Sequence, residues 1–287
     1  MLLNKLKLKS YTELIFREFE GMKGVNIGGR NINNLRYADD TALLSDNSHN
    51  LQQLVTAVKE GSEAKGLNMN VHKTKTMVIS RTENVQTDIT ADAEILEQLK
   101  QMKYLGQTIT PDGRSDKEIQ IRIAMAKTRF ESMSKLFTSK QLSINLRLRM
   151  LTCYIYSVLL YGCETWTINK NMQNKLEACE MWFLRRIGKI SWTQKLTNVQ
   201  ILRMLNTKRQ LLYNIKKRKM SFFGHIKRHD SILKQSLEGK LEGKRGKGRP
   251  RLAWVDNIKK WAGCDMAECT RLTRDRERWQ CISRLPL

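Results

Sequence analysis

No apolar run in this 287-residue sequence is long enough to cross a bilayer. The longest, from Leu148 through Cys163, is interrupted by Arg149 and falls short of the roughly 20 residues a span requires, so it reads as a buried helix. The opening residues, Met1-Leu2-Leu3-Asn4-Lys5-Leu6-Lys7, are too short and too charged for a secretory signal. The expectation is an intracellular protein, nuclear or cytoplasmic, whose six cysteines are buried thiols with no disulfide framework. No Cys-x₂-Cys pair is present, so Cys264, Cys269, Cys281, His225 and His229 lack the close spacing of a zinc site. Acidic residues are also scarce. There are 28 against 52 lysines and arginines, which leaves a formal charge of +24 and a pI near 10.0. Such an excess calls for a polyanionic partner, nucleic acid before an anionic membrane surface.

The chain is organised around Asn34-Leu35-Arg36-Tyr37-Ala38-Asp39-Asp40-Thr41-Ala42-Leu43-Leu44-Ser45. Two short apolar runs flank adjacent carboxylates, the layout of a β-hairpin with an acidic tip. Neighbouring carboxylates repel, and a divalent cation is what usually relieves that cost. Upstream, Val25-Asn26-Ile27 alternates and Gly28-Gly29 supplies a two-residue hairpin turn. A short helix is expected over Tyr11 to Met22, with Leu14, Ile15, Phe16 and Phe19 on its apolar side. Downstream, Asp46-Asn47-Ser48 caps a helix that buries Leu51, Leu54, Val55 and Val58, with Gly66 at its end. Val71 to Ser80 then alternates as a strand, Arg81 to Asp92 is a polar loop or hairpin, and Met102 to Ile109 contains Tyr104-Leu105-Gly106.

This order of features resembles reverse transcriptases. Tyr37-Ala38-Asp39-Asp40 is similar to their motif C, the segment carrying Lys73 and Lys75 to motif D, and Tyr104-Leu105-Gly106 to motif E, the primer grip. The wording Arg36-Tyr37-Ala38-Asp39-Asp40-Thr41 resembles the non-LTR, LINE-type branch. The resemblance implies an α+β fold with a palm made of an antiparallel sheet and helices. It also implies Mg²⁺ held by Asp39 and Asp40, and addition of a deoxynucleotide to a primer 3′ hydroxyl on a template–primer duplex of RNA and DNA. Tyr37, Lys73, Lys75, Tyr104, Leu105 and Gly106 would meet nucleotide or primer. The family's upstream motif A aspartate, motif B and fingers have no counterpart here, so the expectation is an incomplete palm without independent polymerase activity. The alternatives are a non-catalytic nucleic-acid-binding remnant and an inert product of a decayed element.

On this reading residues 1–113 are the partial palm, 114–206 a helical thumb, and 207–287 a basic helical extension with a flexible linker at 239–251. Ser115-Asp116-Lys117-Glu118 reads as a capping box opening a helix with Ile119, Ile123, Ala126, Phe130, Met133 and Phe137 inside, and Lys117, Arg122, Lys127, Arg129 and Lys135 outside. Ser143 opens a second helix with Leu146, Met150, Leu151, Tyr154, Ile155 and Val158 as its core. A third, Lys170 to Ile187, would bury Leu176, Cys179, Phe183 and Ile187. In the extension, Lys216-Lys217-Arg218-Lys219 is a solvated run suited to phosphate. So are Lys244, Arg245, Lys247, Arg249 and Arg251 of the glycine-rich linker. The last helices carry Trp254, Ile258 and Trp261, then Cys269, Leu272, Trp279 and Ile282.

Overall fold

Glycine at the two central positions lets the Gly28-Gly29 turn take φ of +60° and +86°, and strands β1 (Val25–Ile27) and β2 (Arg30–Ile32) pair across it with Val25 opposite Ile32. The computed structural model describes residues 13, 16–38, 40–80, 82, 84–240, 248 and 250–285. These fall into two compact units. One is drawn from Met1–Met102, Thr110–Gly113 and Ser231–Lys247, the other from Lys103–Ile109, Arg114–Asp230 and Gly248–Leu287.

In the first unit β3 (Asn34–Tyr37) and β4 (Asp40–Leu43) form a second antiparallel ribbon. Helix α1 (Ser48–Glu63) follows, its N-terminus capped by the Asn47 side chain, which accepts from Asn50 N. It buries Leu54 and Val55, the latter against Ile89, Ala91 and Leu96, while Leu51 and Val58 are half-buried. Ile89 to Leu96 reaches that position through β5 (Thr90–Ala91) and β6 (Glu94–Ile95). The strand expected over Val71 to Ser80 does not form, because only Thr76 bridges, to Gln98, and no neighbouring strand offers a longer ladder. Likewise the described strands pair two by two, with no continuous palm sheet. Of the helix expected over Tyr11 to Met22, residues 11, 12, 14 and 15 lie outside the described residues; Phe16 is buried.

The second unit is helical apart from its ribbon strands. β7 (Met102–Tyr104) pairs with β8 (Gln107–Ile109), and α2 (Asp116–Ser132) follows. Ile119, Ala126 and Phe130 of α2 are buried as their spacing requires, with Phe137 of the short α3 (Ser134–Phe137) stacked on Phe130 at 4.4 Å. The expected capping box is absent. Ser115 Oγ accepts from Thr167 N instead, and Glu118 is buried beside β8.

Helix α4 (Ile144–Met150), capped by Ser143, runs into a π-helical turn at Leu151–Ile155 and then α5 (Tyr156–Leu159). One residue more per turn rotates the buried face. Tyr154 is therefore exposed and Val158 only half-buried, while Tyr156 and Leu159 take the core positions. Leu146 is also exposed and Arg147 lies inside.

Helix α6 (Lys170–Ile187) buries Leu176, Cys179, Phe183 and Ile187 as expected. The basic stretch and the thumb-like helices share one core. Helix α7 (Asn198–Met204), with a Thr197–Gln200 capping box, contributes Ile201 to it, and α8 (Leu211–Arg228) contributes Leu211 and Ile215. In the first unit α9 (Ile232–Glu238) ends at Gly239, and Lys240 O accepts from Gly28 N. Helices α10 (Trp254–Ala262), α11 (Met266–Leu272) and α12 (Arg276–Arg284) complete the second unit. Gly224 of α8 permits close approach of α12, since a Cβ there would stand 2.6 Å from the Trp279 ring. The cysteines depart from expectation. Cys163, Cys179 and Cys269 are buried, but Cys153 and Cys281 are exposed and Cys264 is half-buried, because Cys153 falls within the rotated π-turn and Cys281 on the outer side of α12. No helix among the described residues is long and apolar enough to cross a membrane.

Candidate nucleic-acid interface

The acidic tip is built by register. Asn34 faces Leu43, Leu35 faces Ala42, Arg36 faces Thr41 and Tyr37 faces Asp40, with Ala38 at the turn. Ala38 has φ +53°, the positive value that the first position of such a turn demands. Tyr37 is 64% exposed and Asp40 is exposed beside it; Asp39 lies outside the described residues. The ribbon is fastened from behind through Arg36, whose guanidinium pairs with Glu13 at 2.9 Å and lies 5.1 Å from the centre of the Phe16 ring. Magnesium would need several convergent carboxylates. Among the described residues, which do not include Asp39, no group of three or more His, Cys, Asp or Glu side chains is placed to hold a metal.

Lys73 is exposed, and the Lys75 ammonium pairs with Glu97 at 2.7 Å. In the second unit the Tyr104-Leu105-Gly106 turn is fixed from the protein side. Leu105 and Gly106 have φ of +48° and +76°, and both carbonyls are engaged. Tyr161 Oη donates to Leu105 O at 2.9 Å and Arg122 Nη2 donates to Gly106 O. Arg122 also lies over the Tyr161 ring and pairs with Glu118, which in turn accepts from Thr108 N at 2.8 Å. Sequence spacing puts Arg122 on the outer face of its helix, yet it is buried, because it reaches the ribbon turn rather than water. These three anchors, Glu118, Arg122 and Tyr161, were not legible as a set. Glu118 carried a signal, but as a cap.

The basic run of α8 divides. Lys216 and Lys219 are 2% and 0% exposed, which corrects their assignment as phosphate contacts. Their spacing puts them on the inner face with Ile215 and Phe223. Lys216 Nζ donates to Leu285 O. Lys219 Nζ donates to Trp166 O at 2.7 Å and Asn257 Oδ1 at 2.9 Å and lies 4.7 Å from the Trp254 ring centre. Burial pushes the Lys219 ammonium down to about 7, against the opposing pull of Asp256. Lys217 and Arg218 remain exposed, and Arg218 Nη1 donates to Leu160 O at 3.0 Å. Of the linker cations, Lys244, Arg245, Lys247 and Arg249 lie outside the described residues, and Arg251 is exposed.

Residues 8–109, which hold the acid-tipped ribbon and the Tyr-Leu-Gly turn, match the reverse transcriptase (RNA-dependent DNA polymerase) family. The N-terminal third is thus similar to a reverse-transcriptase segment. A transposon-derived protein of Caenorhabditis elegans is 24% identical over 274 residues, covering 91% of this chain and 98% of that relative. That likeness carries beyond the reverse-transcriptase segment into the helical and basic regions.

Proposed function

We propose that this chain comes from a LINE-type retrotransposon, that it holds template–primer nucleic acid by the backbone, and that by itself it does not extend a primer. The Leu105-Gly106 turn carries the reading. Its apex is exposed while both of its carbonyls are held by Tyr161 and Arg122, which makes a rigid protrusion suited to a nucleic-acid backbone in a protein of charge +24. The LINE assignment rests on the wording around Tyr37-Ala38-Asp39-Asp40. The reading of no independent polymerisation rests on the resemblance, which assigns only Asp39 and Asp40 to the metal, fewer carboxylates than a two-metal site uses.

Two measurements test it. In filter binding of an RNA–DNA hybrid, affinity falls linearly with salt on logarithmic axes, with a slope of about −5 for six phosphate contacts. A flat dependence overturns the binding reading. In primer extension on an RNA template with Mg²⁺, the chain gives no product above an Asp39→Ala control; product above that control overturns the claim of inactivity.

A further inference from the structure

The second unit contains a groove of about 710 Å³ between the Thr152–Leu160 stretch and α8. One wall is a single helical stripe of α8, with Asn214, Lys217, Arg218, Ser221 and His225 at i, i+3, i+4, i+7 and i+11, on the side away from Ile215 and Phe223. Ser157 stands on the opposite wall, and Phe222 adds a half-buried ring. The groove is preformed. Arg218 is fixed by its bond to Leu160 O and by Glu164 at 3.8 Å, and the Glu164 backbone is itself held by Trp254 Nε1 at 2.9 Å. The Lys217 ammonium has no ion pair or hydrogen bond among the described residues.

We propose that this groove binds one single strand of nucleic acid. Phosphodiester oxygens accept from Lys217 and from the free N–H groups of Arg218, with Ser157, Ser221 and Asn214 as neutral donors and Phe222 as a surface for a base. Size and charge select this ligand. A volume within the roughly 300–1,000 Å³ range of small-molecule sites takes one or two nucleotides and is too small for a duplex. Lys217 and Arg218 less Glu164 leave one net positive charge, which balances one phosphodiester and not the several charges of a triphosphate. The proposal rests on the nucleic-acid-binding reading above and narrows it to an unpaired strand at a named site.

The test is fluorescence anisotropy of the full chain with a labelled oligouridylate 12-mer and, separately, a 12-base-pair duplex. Lys217→Glu is compared with Lys175→Glu, an equal charge change at an exposed position on α6. Lys217→Glu weakens single-strand binding roughly five- to tenfold at low salt, and Lys217→Gln reduces the salt slope by about 0.7, the share of one contact on a single strand. Lys175→Glu changes it less than about twofold, and the duplex does not distinguish the two variants. Ser221→Asp, which puts a carboxylate on the same wall one helical turn from Lys217, gives the same selective loss. If Lys217→Glu and Lys175→Glu lower single-strand affinity equally while the wild type binds, the groove assignment fails and the broader reading stands. If the wild type binds neither probe, both fail.

Discussion

Lys219 shows how far one side chain can depart from its neighbours in a run of like charge. Its stem and ammonium lie among Trp166, Trp254 and Trp261, and only a carbonyl and an amide oxygen receive its protons. Its ammonium loses its proton near pH 7 in the folded state and near 10.5 when unfolded. Between those values the unfolded chain binds more protons, so stability rises with pH across that window, and below it the cost of burying the ammonium is constant and carried in full. Urea denaturation at pH 7 and pH 9 checks this. The wild type gains stability over that interval, and Lys219→Met loses most of the gain. The four-residue basic run is visible in the sequence, but the half of it that turns inward is set by the phase of α8, which charge alone does not reveal.

At the scale of elements, two buried polar residues do the joining. Glu180 of α6 accepts from Gln210 N at 2.7 Å and Leu211 N at 2.9 Å at the start of α8, and from Tyr156 Oη at 3.0 Å. Burial raises its carboxyl above the usual range, and the amides and hydroxyl draw it partly back. Glu180→Ala strands three donors and costs about 3 kcal/mol in chemical denaturation. Arg147 Nη1 donates to Phe137 O at 3.2 Å and Ile187 O at 2.7 Å, drawing together the ends of α3 and α6. At the ribbon turn, Tyr161→Phe removes one hydrogen bond; about 1 kcal/mol is lost locally, seen as faster amide exchange at Leu105 to Gln107 with the rest of the unit unchanged. The 3.6-residue repeat made α6 readable, with Leu176, Cys179, Phe183 and Ile187 all inside. It failed one helix earlier because the π-helical turn shifts the phase, and no residue between Leu151 and Ile155 announces it.

Across the whole chain, local pattern located the hairpins and helices, and the match over residues 8–109 extends what the Tyr-x-Asp-Asp and Tyr-Leu-Gly stretches suggested. What pattern did not reveal was long-range. The carboxylate at 118 serves a strand ten residues back, and the C-terminal helices share a core with the thumb-like ones. Thiol accessibility reads this packing directly. Burial pushes Cys163 and Cys179 up to about 12, so an aromatic disulfide reagent leaves them unmodified until the chain unfolds, whereas the exposed Cys153 and Cys281 react at once. Immediate reaction of all six thiols in native buffer would contradict that core.

Asn257 gives and accepts a hydrogen bond with the backbone of Ile168 while its Oδ1 also accepts one from Lys219 Nζ. A frameshift or nonsense codon between residues 239 and 257 would therefore do more than delete a basic tail. It would uncover an ammonium and an indole in the middle of the remaining helices, and the shortened chain would unfold at lower urea than the full one.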